Sequence, residues 1–296
     1  MRVFVTGASG WVGSAVVPEL VNTGHHVVGL ARSEASADAL AAARAEVHRG
    51  SLEELDSLHE GAAKSDGVIH LAFIHDFDQY EAANQTDRQA IETIGAALEG
   101  SGRPLVITSG VATTAEGRPA TEHDAAAPEF PRSPATTMTL ALAGAGVRSS
   151  VVRLPPTTHG RGDNGFIPTI IRIAREKGVS GYIGDGSNVW PAVHRSDAAR
   201  VFRLALEQAP AGSVWHAVGE EGVPTRTIAE VIGRQLDIPA VSIAPQEAGE
   251  HFGWMGVFWA INAPVSSALT RERLGWESTG PGLIEDLEQG HYFERT

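Results

Sequence analysis

Arg2-Val-Phe-Val-Thr6-Gly7-Ala-Ser-Gly10-Trp-Val-Gly13 is the stretch that decides the fold of this chain. A short apolar run gives way to three glycines at a spacing of three, and a helical pattern follows with Val12, Val16 and Leu20 on one face. Gly24 supplies a stop signal, and Pro18 predicts a local distortion of the helix. The next run, His26-Val-Val-Gly-Leu30, reads as a second strand. Strand, glycine turn, helix and strand in that order form the setting of a dinucleotide-binding fingerprint. Gly7 permits the tight turn, Gly10 lets the backbone approach a pyrophosphate, and Gly13 lets helix and strand pack closely. Amides at the helix start then face the phosphates.

Outward from this unit the alternation continues. Val47 marks a short strand, Ser51 to Leu58 a helical turn, and Gly67 to Phe73 a buried strand. Ala90, Ile91, Ile94, Ala97 and Leu98 share a helix face, and Pro104 to Ser109 and Ser150 to Leu154 are further strands. Strands separated by helices require crossover connections, hence an α/β fold with a doubly wound, parallel Rossmann-type sheet. We expect residues 1–155 to form the dinucleotide-binding domain, with 195–220 returning to it. Residues 156–194 and 221–296 should form a smaller, interleaved substrate-binding region. There Gly184 to Pro191 reads as a hairpin turn entering a strand, and Ser196 as the cap of a helix carrying Val201, Leu204 and Ala205.

Composition narrows the partners. The 296 residues are 42% hydrophobic and 20% charged, an ordinary globular balance. Acidic residues outnumber basic ones by 36 to 23, which speaks against nucleic acid as a partner. With no cysteine there is no disulfide, thiolate metal site or cysteine nucleophile, and the histidine spacing carries no metal signature. No apolar run is long enough for a membrane span and no leader pattern follows Met1, so a cytoplasmic protein is expected.

Taken together, these motifs resemble the extended short-chain dehydrogenase/reductase superfamily, which includes NAD(P)-dependent epimerases, dehydratases and ketone reductases. The matching pieces are Thr6 to Gly13, His70-Leu-Ala72, Thr108-Ser109, Arg153-Leu-Pro-Pro-Thr157 with His159-Gly160, Val193 to Ala199, and Leu274-Gly-Trp276. The resemblance implies that the turn from Gly7 through Ser9, Gly10, Trp11 and Val12 to Gly13 holds the pyrophosphate. It also implies that Leu71 and Ala72 line the cofactor, that Leu154, Pro155 and Thr157 lie beside the nicotinamide, and that Ser109, after Thr108, binds the reacting carbonyl. In Arg49-Gly-Ser51-Leu52 the acid expected beside the adenine is missing, which leaves Ser51 and Leu52 as the contacts there. After the second strand, Leu30-Ala-Arg32-Ser33 offers no carboxylate for a ribose 2′-hydroxyl. Arg32 either pairs with a 2′-phosphate or is a solvated loop residue, and the first reading predicts NADPH over NADH.

The superfamily's usual acid is the tyrosine of Tyr-x-x-x-Lys. The residues four beyond Tyr80, Tyr182 and Tyr292 are Asn84, Gly186 and Thr296, so the pair is missing. By distance from Ser109 and Arg153, Arg132 falls near the tyrosine position and Thr136 near the lysine position. Arg132 could stabilise a developing alkoxide electrostatically, or sit on the surface at a helix start flanked by Pro131 and Ser133. His75 and His159 are further candidates, each also readable as a structural histidine, and His194 looks structural. Trp190 is expected to face the substrate. The segment His251-Phe-Gly-Trp254-Met-Gly-Val-Phe258-Trp259 reads as a buried helix, a subunit interface or, the reading we favour, an apolar substrate wall. The sequence thus predicts an NADPH-dependent reductase of a small hydrophobic ketone or aldehyde, with a homodimer as an allowed assembly. The alternatives are an NADP(H)-binding sensor without turnover and a sugar-nucleotide epimerase or dehydratase.

Overall fold

The apolar run Arg2–Thr6 is β1, and the glycine turn leads into α1 (Gly13–Asn22) and β2 (His26–Ala31). The computed structural model describes residues 1–74, 79–111, 115 and 117–294. Then come α2 (Glu34–Ala42), β3 (Glu46–Arg49), α3 (Leu55–Ala63), β4 (Gly67–His70), α4 (Tyr80–Leu98), β5 (Pro104–Gly110), α5 (Ser133–Ala141) and β6 (Arg148–Leu154). The remainder runs β7 (Thr157–His159), α6 (Phe166–Lys177), β8 (Ser180–Ile183), β9 (Val189–His194), α7 (Arg195–Gln208) and β10 (Ser213–His216). Last are β11 (Glu220–Pro224), α8 (Thr225–Leu236), β12 (Ala240–Ile243), α9 (Ala248–Phe252), α10 (Met255–Trp259), α11 (Ala268–Leu274) and α12 (Leu283–Glu288).

Seven strands form one parallel sheet in the order β10-β6-β5-β4-β1-β2-β3. The order reverses between β1 and β4, and the crevice beyond the carboxyl ends of the strands there is where such sheets take ligands. Each face is dry. Val3, Val5, Val106 and Val152 pack on one side against Val16 and Leu20 of α1 and Val201 and Phe202 of α7. Phe4, Val68, Leu105 and Ile107 pack on the other against Leu58 of α3 and Ile91 and Ile94 of α4. Strands covered on both faces read as continuous apolar runs, which is why the sequence exposes them so clearly.

A second core joins Ile170, Ile171, Trp190, Ile228, Ile232, Met255 and Trp259 around a three-stranded sheet, β11-β9-β7, and a two-stranded one, β12-β8. α7 and β10 return to the large sheet, and so do Leu274 and Trp276, from the stretch expected to serve the substrate side. Three local expectations change. α1 runs unbroken through Pro18, whose missing donor costs one bond in a well-buried helix. The turn after Gly184 joins β8 and β9, which pair with different partners, so it is no hairpin. His194, not Ser196, caps α7, its ring accepting from the Ser196 amide at 3.4 Å. Among the described residues no helix is long and apolar enough to cross a membrane.

Candidate active site

The glycine turn fits a dinucleotide on steric grounds. Gly7 has φ +65°, and a Cβ there would lie 2.6 Å from the Ala72 amide nitrogen at the end of β4. A Cβ on Gly13 would lie 2.1 Å from the Gly7 carbonyl oxygen, so α1 starts flush against the turn only because both positions are bare. No side chain caps α1 and its first turn carries no acid, which leaves the positive end of the helix for an anion. The Gly10 amide is taken by the Gly7 carbonyl at 2.9 Å, which leaves the main-chain amides of Ser9, Trp11 and Val12 as donors that suit a pyrophosphate. Trp11 anchors the loop, its Nε1 donating to the Thr158 carbonyl at 2.9 Å while the Arg195 guanidinium stacks 4.5 Å from its ring centre.

Arg32 is exposed just past β2 with no ion pair among the described residues. Ser33 caps α2, accepting from the Ser36 amide at 3.2 Å. Arg49, in register with Ala31, pairs with Glu34 at 2.5 Å. Leu52, Leu71, Ala72 and Leu154 are half-buried along the carboxyl ends of the strands, while Thr108, Pro155 and Thr157 are buried. The Thr157 hydroxyl has no protein partner among the described residues.

Ser109 ends β5 and is buried, and Thr136 of α5 donates to its hydroxyl oxygen at 3.1 Å. Four residues earlier, at the N-cap of α5, stands Arg132, only 9% exposed, so it is not the surface residue that its helix-start position allowed. Nor does it carry its charge alone. Its Nη2 donates to both oxygens of Asp87 on α4, at 3.1 and 3.3 Å, and Phe73 lies under its guanidinium at 4.6 Å. Asp87 is bonded in turn to His70 Nε2 at 3.1 Å, and His70 Nδ1 to the Thr6 hydroxyl at 2.8 Å. Burial pushes the Asp87 carboxyl up, but the bond from His70 and the charge of Arg132 outweigh it and hold the group below the ordinary carboxylate range. The sequence reading missed Asp87 and His70. A signal existed: Asp87 falls on the apolar stripe of α4, with Ala83, Ala90, Ile91, Ile94 and Leu98. A carboxylate on such a stripe calls for a buried partner.

Other candidates land elsewhere. His75 lies outside the described residues. His159 is fully buried and bonded through Nδ1 to Asp286 at 2.9 Å, with His291 on the other oxygen at 2.9 Å. It presents no surface to a substrate. Trp190 is likewise core, 1% exposed and edge-on to Trp259 at 4.8 Å, because β9 directs it into the second core. The aromatic segment divides in two. Phe252, Met255 and Trp259 are buried, whereas Trp254 is 54% exposed and Phe258 half-buried, both against Phe166. No cluster of metal-binding side chains occurs among the described residues.

A model of the NAD dependent epimerase/dehydratase family matches residues 3–217. The chain belongs to that family. An uncharacterised protein of Schizosaccharomyces pombe is 50% identical over 295 residues, covering 99% of this chain and 100% of the relative. A Stigmatella aurantiaca ketoreductase, named for a farnesylated dihydroquinoline oxide, is 28% identical and aligns over 90% of this chain and 84% of its own. A dTDP-glucose dehydratase of Streptomyces venezuelae, solved with NAD, superposes with a TM-score of 0.78 at 19% identity, covering 99% of this chain and 97% of that one. The last likeness concerns the fold alone. Family membership makes this an NAD(P)-dependent protein of the epimerase, dehydratase and reductase type.

Proposed function

We propose that this family member is an NADPH-dependent reductase of the carbonyl group of a small, largely apolar ketone or aldehyde. The observation that carries the reading is the bond from Thr136 to Ser109. The two hydroxyls share one hydrogen bond, and with Thr136 as its donor the Ser109 proton is left for an acceptor in the crevice. Ser109 then donates to the carbonyl oxygen and strengthens that bond as negative charge develops on it. Leu154 to Thr157 would hold a dihydronicotinamide, which when bound would supply the hydride that the carbonyl carbon receives. Ser109 passes its proton to the oxygen, Thr136 restores it, and one proton is taken up from water per turnover, giving the alcohol.

Support for reduction comes from the ketoreductase relative. NADPH is favoured by Arg32 and Ser33 at the end of β2, where an NAD site would place a carboxylate. Trp254 and Phe258, packed against Phe166, supply the apolar wall. The test is NADPH oxidation with a panel of aryl and alkyl ketones and aldehydes. Ser109→Ala should lower kcat by about 100- to 1000-fold and leave NADPH affinity near normal. Tight NADPH binding with no turnover of any carbonyl would instead identify a cofactor sensor.

A further inference from the structure

Arg132 is gripped from two sides. Asp87 takes Nη2, and Phe73 occupies one face of the guanidinium. Among the described residues its buried Nε has no acceptor, and its hydrogen bonds there run through Nη2 and not Nη1. Burying a charged donor without an acceptor is costly, and a guanidinium pinned this firmly cannot turn to find one. Asp87 does not supply it, because both of its bonds to Arg132 go to Nη2. Arg132, at the N-cap of α5, stands four positions before Thr136, whose hydroxyl reaches Ser109.

We infer that Arg132 binds a carboxylate of the substrate, so that the molecule reduced is an oxo acid with its acid group one or two carbons from the reacting carbonyl. Ser109 takes the carbonyl oxygen and Arg132 the acid, in a two-point hold that fixes which face of the carbonyl is presented. Asp87, acting through Arg132, is a positioning residue. Its negative charge also offsets that of Arg132, so the arginine can remain buried between turnovers. An apolar body on the Trp254 and Phe258 side and an acid at Arg132 describe an amphipathic oxo acid.

This inference rests on the reductase reading, and the experiment separates the two. Phenylpyruvate and benzoylacetate are compared with their methyl esters, which keep the carbonyl and lose the charge, as substrates for the NADPH-loaded protein and its Arg132→Gln and Arg132→Lys variants. Charge-assisted bonds to the acid predict a wild-type preference in kcat/KM of about 10- to 100-fold for at least one acid over its ester. The preference should reside in KM, fall to near unity in Arg132→Gln and return in part in Arg132→Lys. Esters reduced as well as both acids, or an acid-to-ester ratio untouched in Arg132→Gln, would overturn the assignment while leaving the reductase standing. If no carbonyl turns over, the reductase reading fails by itself. Calorimetric titration of the NADP+ complex then decides the carboxylate site: acid bound in preference to ester by the wild type but not by Arg132→Gln upholds it, and equal binding refutes it.

Discussion

Asp87→Ala should be among the most damaging single substitutions in the chain. The side chain of Asp87 is 1% exposed and accepts from Arg132 and His70, so its loss leaves Arg132, whose side chain is 11% exposed, without its counter-charge. Stranding a buried charge in this way costs about 3–5 kcal/mol, whereas removing both partners of such a pair costs far less than the two single losses added together. Urea unfolding at neutral pH, with Asp87→Ala, Arg132→Met and the double variant in one cycle, reads this directly. We expect a coupling of at least about 1.5 kcal/mol. The pH dependence has a definite sign. Asp87 is held below its ordinary value in the folded state, so its contribution is complete above the unfolded carboxylate value near pH 4 and is lost as the pH falls through the folded value. Asp87→Asn should lack that part of the acid limb. A cost for Asp87→Ala below about 1 kcal/mol, together with additivity in the cycle, would refute the view that this pair is electrostatically joined.

Two further substitutions probe the cofactor cradle. Gly13→Ala puts a methyl 2.1 Å from the Gly7 carbonyl oxygen, so the turn must open, and NADPH affinity by fluorescence titration should fall at least about tenfold. Arg32→Glu places a carboxylate where a 2′-phosphate would sit and should move the ratio of NADPH to NADH affinity by about 100-fold toward NADH, as judged by dissociation constants for both. An unchanged ratio would remove Arg32 from cofactor choice.

The large sheet was legible because a parallel sheet covered on both faces leaves uninterrupted apolar runs, and because bare glycines at 7 and 13 answer to backbone contacts that any side chain would break. The polar interior was harder to read. Asp87 lies in Asn84-Gln-Thr-Asp-Arg88, which looks like a solvated helix face until it is set against the apolar stripe it interrupts, and His70 looks like the tail of a strand. Both are paired with residues far away in sequence, 45 positions for Asp87 and Arg132 and 64 for Thr6 and His70, and spacing along the chain holds no record of such contacts. Trp190 misled for a related reason: on a strand, one position's difference in register decides between crevice and core.

The clasp around β7 bears on how the protein is made. The Thr158 carbonyl accepts from Trp11, near the beginning of the chain, and the Gly160 amide donates to the Tyr292 hydroxyl at 3.1 Å. His159, between them, is bonded to Asp286. Synthesis proceeds from the amino end, so the dinucleotide cradle can close on the ribosome while the strand beside it still awaits residues 286–292. A nascent chain would therefore pass through a stage with the glycine turn folded but β7 still unclasped, and a dinucleotide bound there would favour the folded half for as long as that stage lasts.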